Sequence, residues 1–183
     1  MTAASPNSQS LLDADGVARA LDDLAATIAA DFPTPPDTLM LLGIRTRGVT
    51  MADRLHERLQ KHYGRAVAFG TLDITLYRDD LSELKNQPIV RGSEFPHDVD
   101  GAVLILTDDV IYTGRTIRAA MDEIVDYGRP KLIRLACLVD RGHREYPIQP
   151  DYVGLRVETT LDQVVKVKFA EDDGEDGVEL SPK

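Results

Sequence analysis

The stretch Val103-Leu-Ile-Leu-Thr-Asp-Asp-Val-Ile-Tyr-Thr-Gly-Arg-Thr116 decides the reading of this 183-residue chain. It opens as a short, uniformly apolar run, the pattern of a strand buried on both faces in a parallel sheet. Asp108 and Asp109 stand at the strand's exit. Thr113, Gly114, Arg115 and Thr116 then open a helix carrying Ile117, Ala120, Met121 and Ile124 on one face. In open α/β sheets, ligands bind at the carboxyl ends of the strands. Here the hydroxyls of Thr113 and Thr116, the unpaired amides and the positive end of the helix dipole make a phosphate cradle, and Gly114 lets the backbone approach an anion. Two carboxylates beside it would repel a bare phosphate. They suit a ligand that also offers a diol or brings a divalent cation, and a ribose 5-phosphate meets that demand. A helix cap with exposed aspartates explains each feature singly, but not their coincidence at one strand exit. Neither the nucleotide P-loop nor the dinucleotide glycine fingerprint occurs, so ATP and NAD lose support.

Working outward, Val17, Leu21, Leu24 and Ile28 recur at helical spacing, which predicts a helix from Asp13 or Asp15 to about Ala30. A strand over 38–44, a helix carrying Met51, Leu55 and Leu59 to about Tyr63, and a mostly extended segment over 67–77 follow. Residues 78–100 form a long polar excursion, of the kind usually functional in a compact domain. A second buried strand spans 132–139, and short strands span 152–157 and 164–169. The alternation predicts an α/β fold, an open, mostly parallel twisted sheet flanked by helices with right-handed crossovers. One domain covers 1–183, with 1–10 and 170–183 expected to be disordered tails.

The formal charge is −10, unevenly placed. Residues 1–37 and 170–183 each carry −5, whereas 38–169 balance 19 acids with 19 bases. Such acidic ends usually solubilise a chain, and an arginine-rich neutral body can still bind phosphate locally. No apolar run approaches the ~18 residues of a spanning helix, and the first ten residues lack a signal peptide's basic and apolar regions, so a cytoplasmic protein without membrane attachment is expected. The single cysteine, Cys137, sits in an apolar strand and reads as a core residue rather than a nucleophile.

Four motifs occur in order: Gly43-Ile-Arg-Thr-Arg-Gly48, Asp73-Ile-Thr-Leu-Tyr-Arg-Asp-Asp-Leu81, Asp108-Asp-Val-Ile-Tyr-Thr-Gly-Arg-Thr116 and Leu138-Val-Asp-Arg-Gly-His-Arg-Glu145. Together they resemble the PyrR family, pyrimidine (pyr) operon regulators that are also uracil phosphoribosyltransferases, within the type I phosphoribosyltransferases. The resemblance runs from about Leu11 to Thr160. It implies that uracil attacks the anomeric carbon of phosphoribosyl pyrophosphate, giving UMP and pyrophosphate, with Mg²⁺ brought in on the pyrophosphate rather than held in a protein metal site.

By that resemblance Arg45, Thr46, Arg47 and Gly48 take the charge growing on the leaving pyrophosphate, in a loop of unusual peptide conformation. Asp108, Asp109 and Arg47 are the expected catalytic residues. Val110, Ile111, Tyr112, Thr113, Gly114, Arg115 and Thr116 complete the ribose-phosphate site. The second motif is implied to start a flexible β flap, with Arg78 and Arg91 as pyrophosphate contacts. The fourth is implied to be a small hood that reads uracil through Arg141 and nearby backbone, with Val157 on the following strand. This hood sequence argues against a purine base. His143 is a candidate acid or base, or an exposed hood residue.

The resemblance further implies a homodimer or higher homo-oligomer that binds pyr messenger RNA on a basic concave surface. The matching positions here read Asp22, Asp23, Ala26, Gln149 and Leu155, with only His143 and Arg144 keeping suitable character. The enzymatic half of the function is therefore the better supported. The alternative is a UMP-sensing, RNA-binding attenuation regulator whose catalysis is vestigial.

Overall fold

The structure, a computed structural model, describes residues 8–77 and 92–183. Two apolar faces organise it. In β2 (Leu39–Ile44), Leu39 and Leu41 pack to one side while Met40, Leu42 and Ile44 pack to the other. The strand β4 (Val103–Ile111) repeats the division, with Val103 and Ile105 on the first side and Leu104 and Leu106 on the second. A strand covered on both faces needs no polar alternation, which is why these runs are uniformly apolar.

Both strands belong to an all-parallel sheet of order β3-β2-β4-β5-β6, with β3 at Ala68–Leu72, β5 at Leu132–Asp140 and β6 at Tyr152–Arg156. Helices α1 (Ala14–Asp31) and α2 (Arg47–Tyr63) share the first apolar cluster, and α3 (Arg115–Tyr127) packs into the second. The Asp13 carboxylate accepts the Gly16 amide at 2.8 Å and so starts α1 where the sequence predicts. Left-handed Gly64 (φ 65°) ends α2.

After β2 the chain turns outward to β3, and after β4 it turns the other way to β5. The order therefore reverses between β2 and β4, and the loops leaving their carboxyl ends diverge to open a crevice. Two glycines allow close packing there. A Cβ on Gly43 would lie 2.5 Å from Val49 Cα, and one on Gly48 would lie 2.6 Å from the Thr107 carbonyl oxygen.

Two expectations need correction. The segment over 67–77, expected to be mostly extended, is a strand only over Ala68–Leu72. It leaves the sheet after Leu72, because the Asp73 carboxylate accepts the Thr75 amide at 3.1 Å and caps a 3₁₀ turn at Ile74–Leu76. The acidic end, 170–183, is not a disordered tail. It forms α4 (Ala170–Asp173) and β8 (Gly177–Pro182), and β8 lies between β1 (Gln9–Leu12) and β7 (Gln163–Lys168) in an antiparallel sheet. Phe169, Val178 and Leu180 enter the same apolar cluster as α1. Its acids do not repel the fold, since Arg47, Arg54 and Lys168 pair with them. At the other end, β1 already begins at Gln9, inside the expected N-terminal tail.

Candidate functional site

The acid pair lies not beyond the strand but within it: past its last pairing with β2 at Thr107, β4 stays paired with β5 to Ile111 and carries Asp108 into the interior, at 7% exposure, with Asp109 half-buried beside it. The Asp109 amide donates to Asp108 Oδ1 at 3.1 Å. Burial, and the neighbouring carboxylate, push Asp108 well above the usual carboxylate range. Burial raises Asp109 as well, opposed in part by hydrogen bonds and by the Arg47 charge. An acid pair held this far from water is poised to accept from hydroxyls or meet a cation.

The chain then turns through Tyr112 and Thr113 to Gly114, whose left-handed conformation (φ 93°) starts α3. The Thr113 hydroxyl lies 3.4 Å from the Arg115 amide, and no side chain caps the helix at its N-cap position. A cavity of about 100 Å³ opens here, lined by Asp108, Val110, Ile111, Tyr112, Thr113, Gly114, Thr116 and Ile117. Of the expected ribose-phosphate residues all but two line it: Asp109 and Arg115 do not, and Ile117 takes part. The Arg115 guanidinium reaches Glu145 at 2.6 Å and lies over the Tyr146 ring. A larger cavity, about 150 Å³, sits by Pro35, Arg65 and His97, where β2 and β3 begin. Open helix amides and the buried Asp108 mark the smaller one as the candidate site.

Across the crevice, the Arg45–Thr46 peptide is cis. The Arg45 amide donates to the Leu72 carbonyl at 3.0 Å, and its Nη2 donates to the Thr71 hydroxyl at 3.0 Å. Its Nε is buried without a partner. Thr46 is exposed and makes no side-chain cap, leaving the first amides of α2 open. The Arg47 guanidinium pairs with both oxygens of Asp173, at 3.0 and 2.6 Å. That bond and the charges of Asp173 and Asp109 raise its already high pKa. The sequence reasoning missed Asp173; the signal available was the acid run of 171–176, which it read as solvated.

The hood is tied to the cradle. The amides of Glu145 and Tyr146 donate to the Thr113 carbonyl, at 2.9 and 3.1 Å. Tyr112 sits between the Arg141 guanidinium, 4.2 Å from its ring centre, and His143, whose ring packs edge-on at 5.8 Å. Arg141 is 5% exposed and donates to the carbonyls of Thr160 and Gln163, so its side chain holds hood backbone together rather than presenting itself to a base. Val157 donates its amide to the Asp140 carbonyl, which places it at the hood's lower edge. His143 Nε2 contacts the Thr159 carbonyl at 2.7 Å, and its backbone is left-handed (φ 62°). Arg144 bonds the carbonyls of Ile148, Tyr112 and Gly142 and pairs with Asp140 at 2.7 Å. Its guanidinium is thus engaged inside the hood rather than offered to an RNA phosphate. Arg78 and Arg91 lie outside the described residues. Cys137 is buried, and burial pushes its thiol up, away from a reactive thiolate.

The phosphoribosyl transferase domain family matches residues 7–173 of the chain. Over 168 residues the chain is 53% identical to a bifunctional protein PyrR of Pelotomaculum thermopropionicum, covering 92% of each. Over 173 residues it is 49% identical to a bifunctional protein PyrR of Thermus aquaticus, covering 94% of this chain and 95% of that one. Among solved structures, a hypoxanthine phosphoribosyl transferase of Trypanosoma cruzi superposes with a TM-score of 0.73 at 16% identity, over 99% of this chain and 94% of that one. A hypoxanthine-guanine phosphoribosyltransferase of Bacillus anthracis gives 0.71 at 17% identity, over 96% and 98%. At such identity these two speak to the fold alone.

Proposed function

The chain belongs to the phosphoribosyl transferase domain family, among its PyrR proteins, and from that premise we propose the reaction its crevice performs: transfer of a ribose 5-phosphate to uracil, giving UMP and pyrophosphate. The observation that carries this is the meeting, at one sheet reversal, of a buried acid pair beside open helix amides with an arginine-bearing loop. The sugar's 5-phosphate sits on the first amides of α3, with Gly114 allowing close approach. Asp108 and Asp109 accept its 2′- and 3′-hydroxyls. The pyrophosphate lies toward the open amides of α2 and the charges of Arg45 and Arg47. As its C–O bond breaks and the electron pair leaves on the pyrophosphate, a uracil nitrogen bonds the anomeric carbon and its proton passes to solvent.

The positive charge of the oxocarbenium-like transition state falls near the acid pair, and the negative charge of the leaving group near the arginines. Preorganised charges of opposite sign at the two ends are worth more in a site shielded from water. Mg²⁺ would supply charge neutralisation on the pyrophosphate. The residues fit that arrangement: Asp108 lines the cavity with Asp109 next to it in the chain, and two carboxylates suit a cation that keeps most of its substrate and water ligands.

The test is UMP formation from phosphoribosyl pyrophosphate, Mg²⁺ and uracil, with cytosine, hypoxanthine and orotate alongside. Turnover confined to uracil supports the reading. Turnover of hypoxanthine in its place overturns it, and UMP binding without turnover of any base favours the sensor alternative. The PyrR relatives support a pyr operon regulator as the second function; that it binds pyr messenger RNA in response to uridine nucleotides, as a homo-oligomer in the cytoplasm, is part of the same proposal. Asp22 pairs with Arg58 at 2.6 Å and Arg144 is engaged in the hood, so both arginines are already paired. UMP-enhanced binding to pyr leader RNA with a steep salt slope would support the regulatory half, and salt-independent or absent binding would remove it.

A further inference from the structure

The acidic segment around α4 grips one face of α2. Arg47, Thr50 and Arg54 stand three and four residues apart, and so project together from the helix. Asp173 takes Arg47, and Asp172 accepts the Thr50 hydroxyl at 2.6 Å. Glu171 and Asp176 both take Arg54, at 2.5 to 3.0 Å. The grip is itself fixed: Asp173 Oδ2 also accepts the Phe169 amide at 3.1 Å, and Asp176 Oδ1 accepts the Ala170 amide at 2.7 Å. Phe169 is wholly buried, with the Arg54 guanidinium 4.9 Å above its ring.

We propose that Asp173 is a positioning residue for the loop of residues 45–48. Arg47 is the first residue of α2, so its amide is one of the unpaired donors of that helix end. A two-point pair with a carboxylate that is itself anchored to backbone fixes both that amide and the guanidinium edge turned away from Asp173. An exposed, single-contact ion pair would impose little order. This one is bidentate, and the Asp173 side chain is only 13% exposed. The C-terminal segment, 126 residues further along the chain, thereby sets the geometry of the donors that meet the leaving pyrophosphate. The inference rests on the reading of this loop as the pyrophosphate site.

The experiment uses the full chain carrying Asp173→Ala or Asp173→Asn, with Asp172→Ala as the neighbouring control. Calorimetry with Mg²⁺ and pyrophosphate gives the Kd, and steady-state rates give the KM for phosphoribosyl pyrophosphate and for uracil separately. Asp173→Ala should weaken pyrophosphate and raise the first KM by roughly ten-fold, while the KM for uracil stays within about two-fold. Asp173→Asn, which keeps one acceptor and the shape, should restore part of the loss and carries the test if the alanine variant fails to fold. Asp172→Ala should bind pyrophosphate as the wild type does. Wild-type or tighter binding in both Asp173 variants, or an equal loss in Asp172→Ala, overturns the proposal. A wild-type protein that neither binds pyrophosphate nor makes UMP would instead overturn the functional reading on which it stands.

Discussion

The Thr107 hydroxyl donates to the Gly48 carbonyl at 2.9 Å and lies 3.3 Å from that of Leu42, so one fully buried side chain joins the acid-bearing strand to the arginine-bearing loop. The two halves of the crevice bind opposite ends of one substrate, and their separation has to be held without slack. A hydroxyl trapped between two carbonyls does this directionally, where an apolar contact would allow sliding.

Thr107→Val keeps the shape and deletes the donor. It should cost about 1–3 kcal/mol of stability, because the Gly48 carbonyl is left buried without that partner. The KM for phosphoribosyl pyrophosphate should rise more than the KM for uracil. Thermal melting and separate KM determinations check the two parts, and a melting temperature equal to the wild type's would show that the link carries no energy.

Asp108 and Asp109 should trade stability for function. A group whose folded-state pKa is raised loses stability as pH climbs from its unfolded value through its folded one, since the folded protein must give up a proton it holds more tightly. Both acids are raised, chiefly by burial. Asp109→Asn should therefore lose nearly all turnover while melting higher, by about 2–4 °C for each kcal/mol recovered in a chain of this size. Asp108→Asn should behave alike. Unchanged turnover in either would remove that acid from the reaction.

The sheet and the cradle were legible in the sequence because each rests on local pattern. Uniform apolar runs marked strands covered on both faces, helical spacing marked α1 to α3, and Thr-Gly-Arg-Thr marked the start of α3, although the strand before it runs on past both aspartates to Ile111. What was not legible depends on partners remote in the chain. Residues 171–176 show six positions with five acids, and nothing local says that Arg47 and Arg54 neutralise them. Arg141, Arg144 and Arg115 carry charges that read as ligand contacts. The structure spends the first two on hood carbonyls and the third on Glu145, and only the fold shows where those groups lie. The 3₁₀ turn after Leu72 is held by the Asp73 carboxylate, which accepts both the amide and the hydroxyl of Thr75, and alternation alone cannot reveal that.

Acid should loosen the C-terminal segment first. Glu171, Asp173 and Asp176 are all lowered below their ordinary values, mainly by their hydrogen bonds to Arg54 and Arg47. A depressed folded-state pKa contributes stability that is complete above the unfolded value, near 3.8 to 4.5, and is lost as pH falls through the folded one. Hydrogen exchange between pH 5 and pH 3 should show amides of 169–176 opening before those of β4. Uniform opening of both would mean that the pairs add nothing to the segment's hold.

Phe169→Ala tests whether the acidic end is part of the core. The ring is fully buried in the cluster it shares with Val178, Leu180 and α1, and it supports the Arg54 guanidinium. Removing a buried phenylalanine costs about 3–5 kcal/mol in transfer and cavity terms together. The ring also sets the height of α4 over α2, so the Arg47–Asp173 pair should lose its register. Urea denaturation should show the unfolding free energy falling by that amount, as a lower midpoint with the slope unchanged, because the segment unfolds with the rest. An unfolding free energy within about 0.5 kcal/mol of the wild type would place 169–183 outside the cooperative unit, as a surface residue away from special contacts would behave.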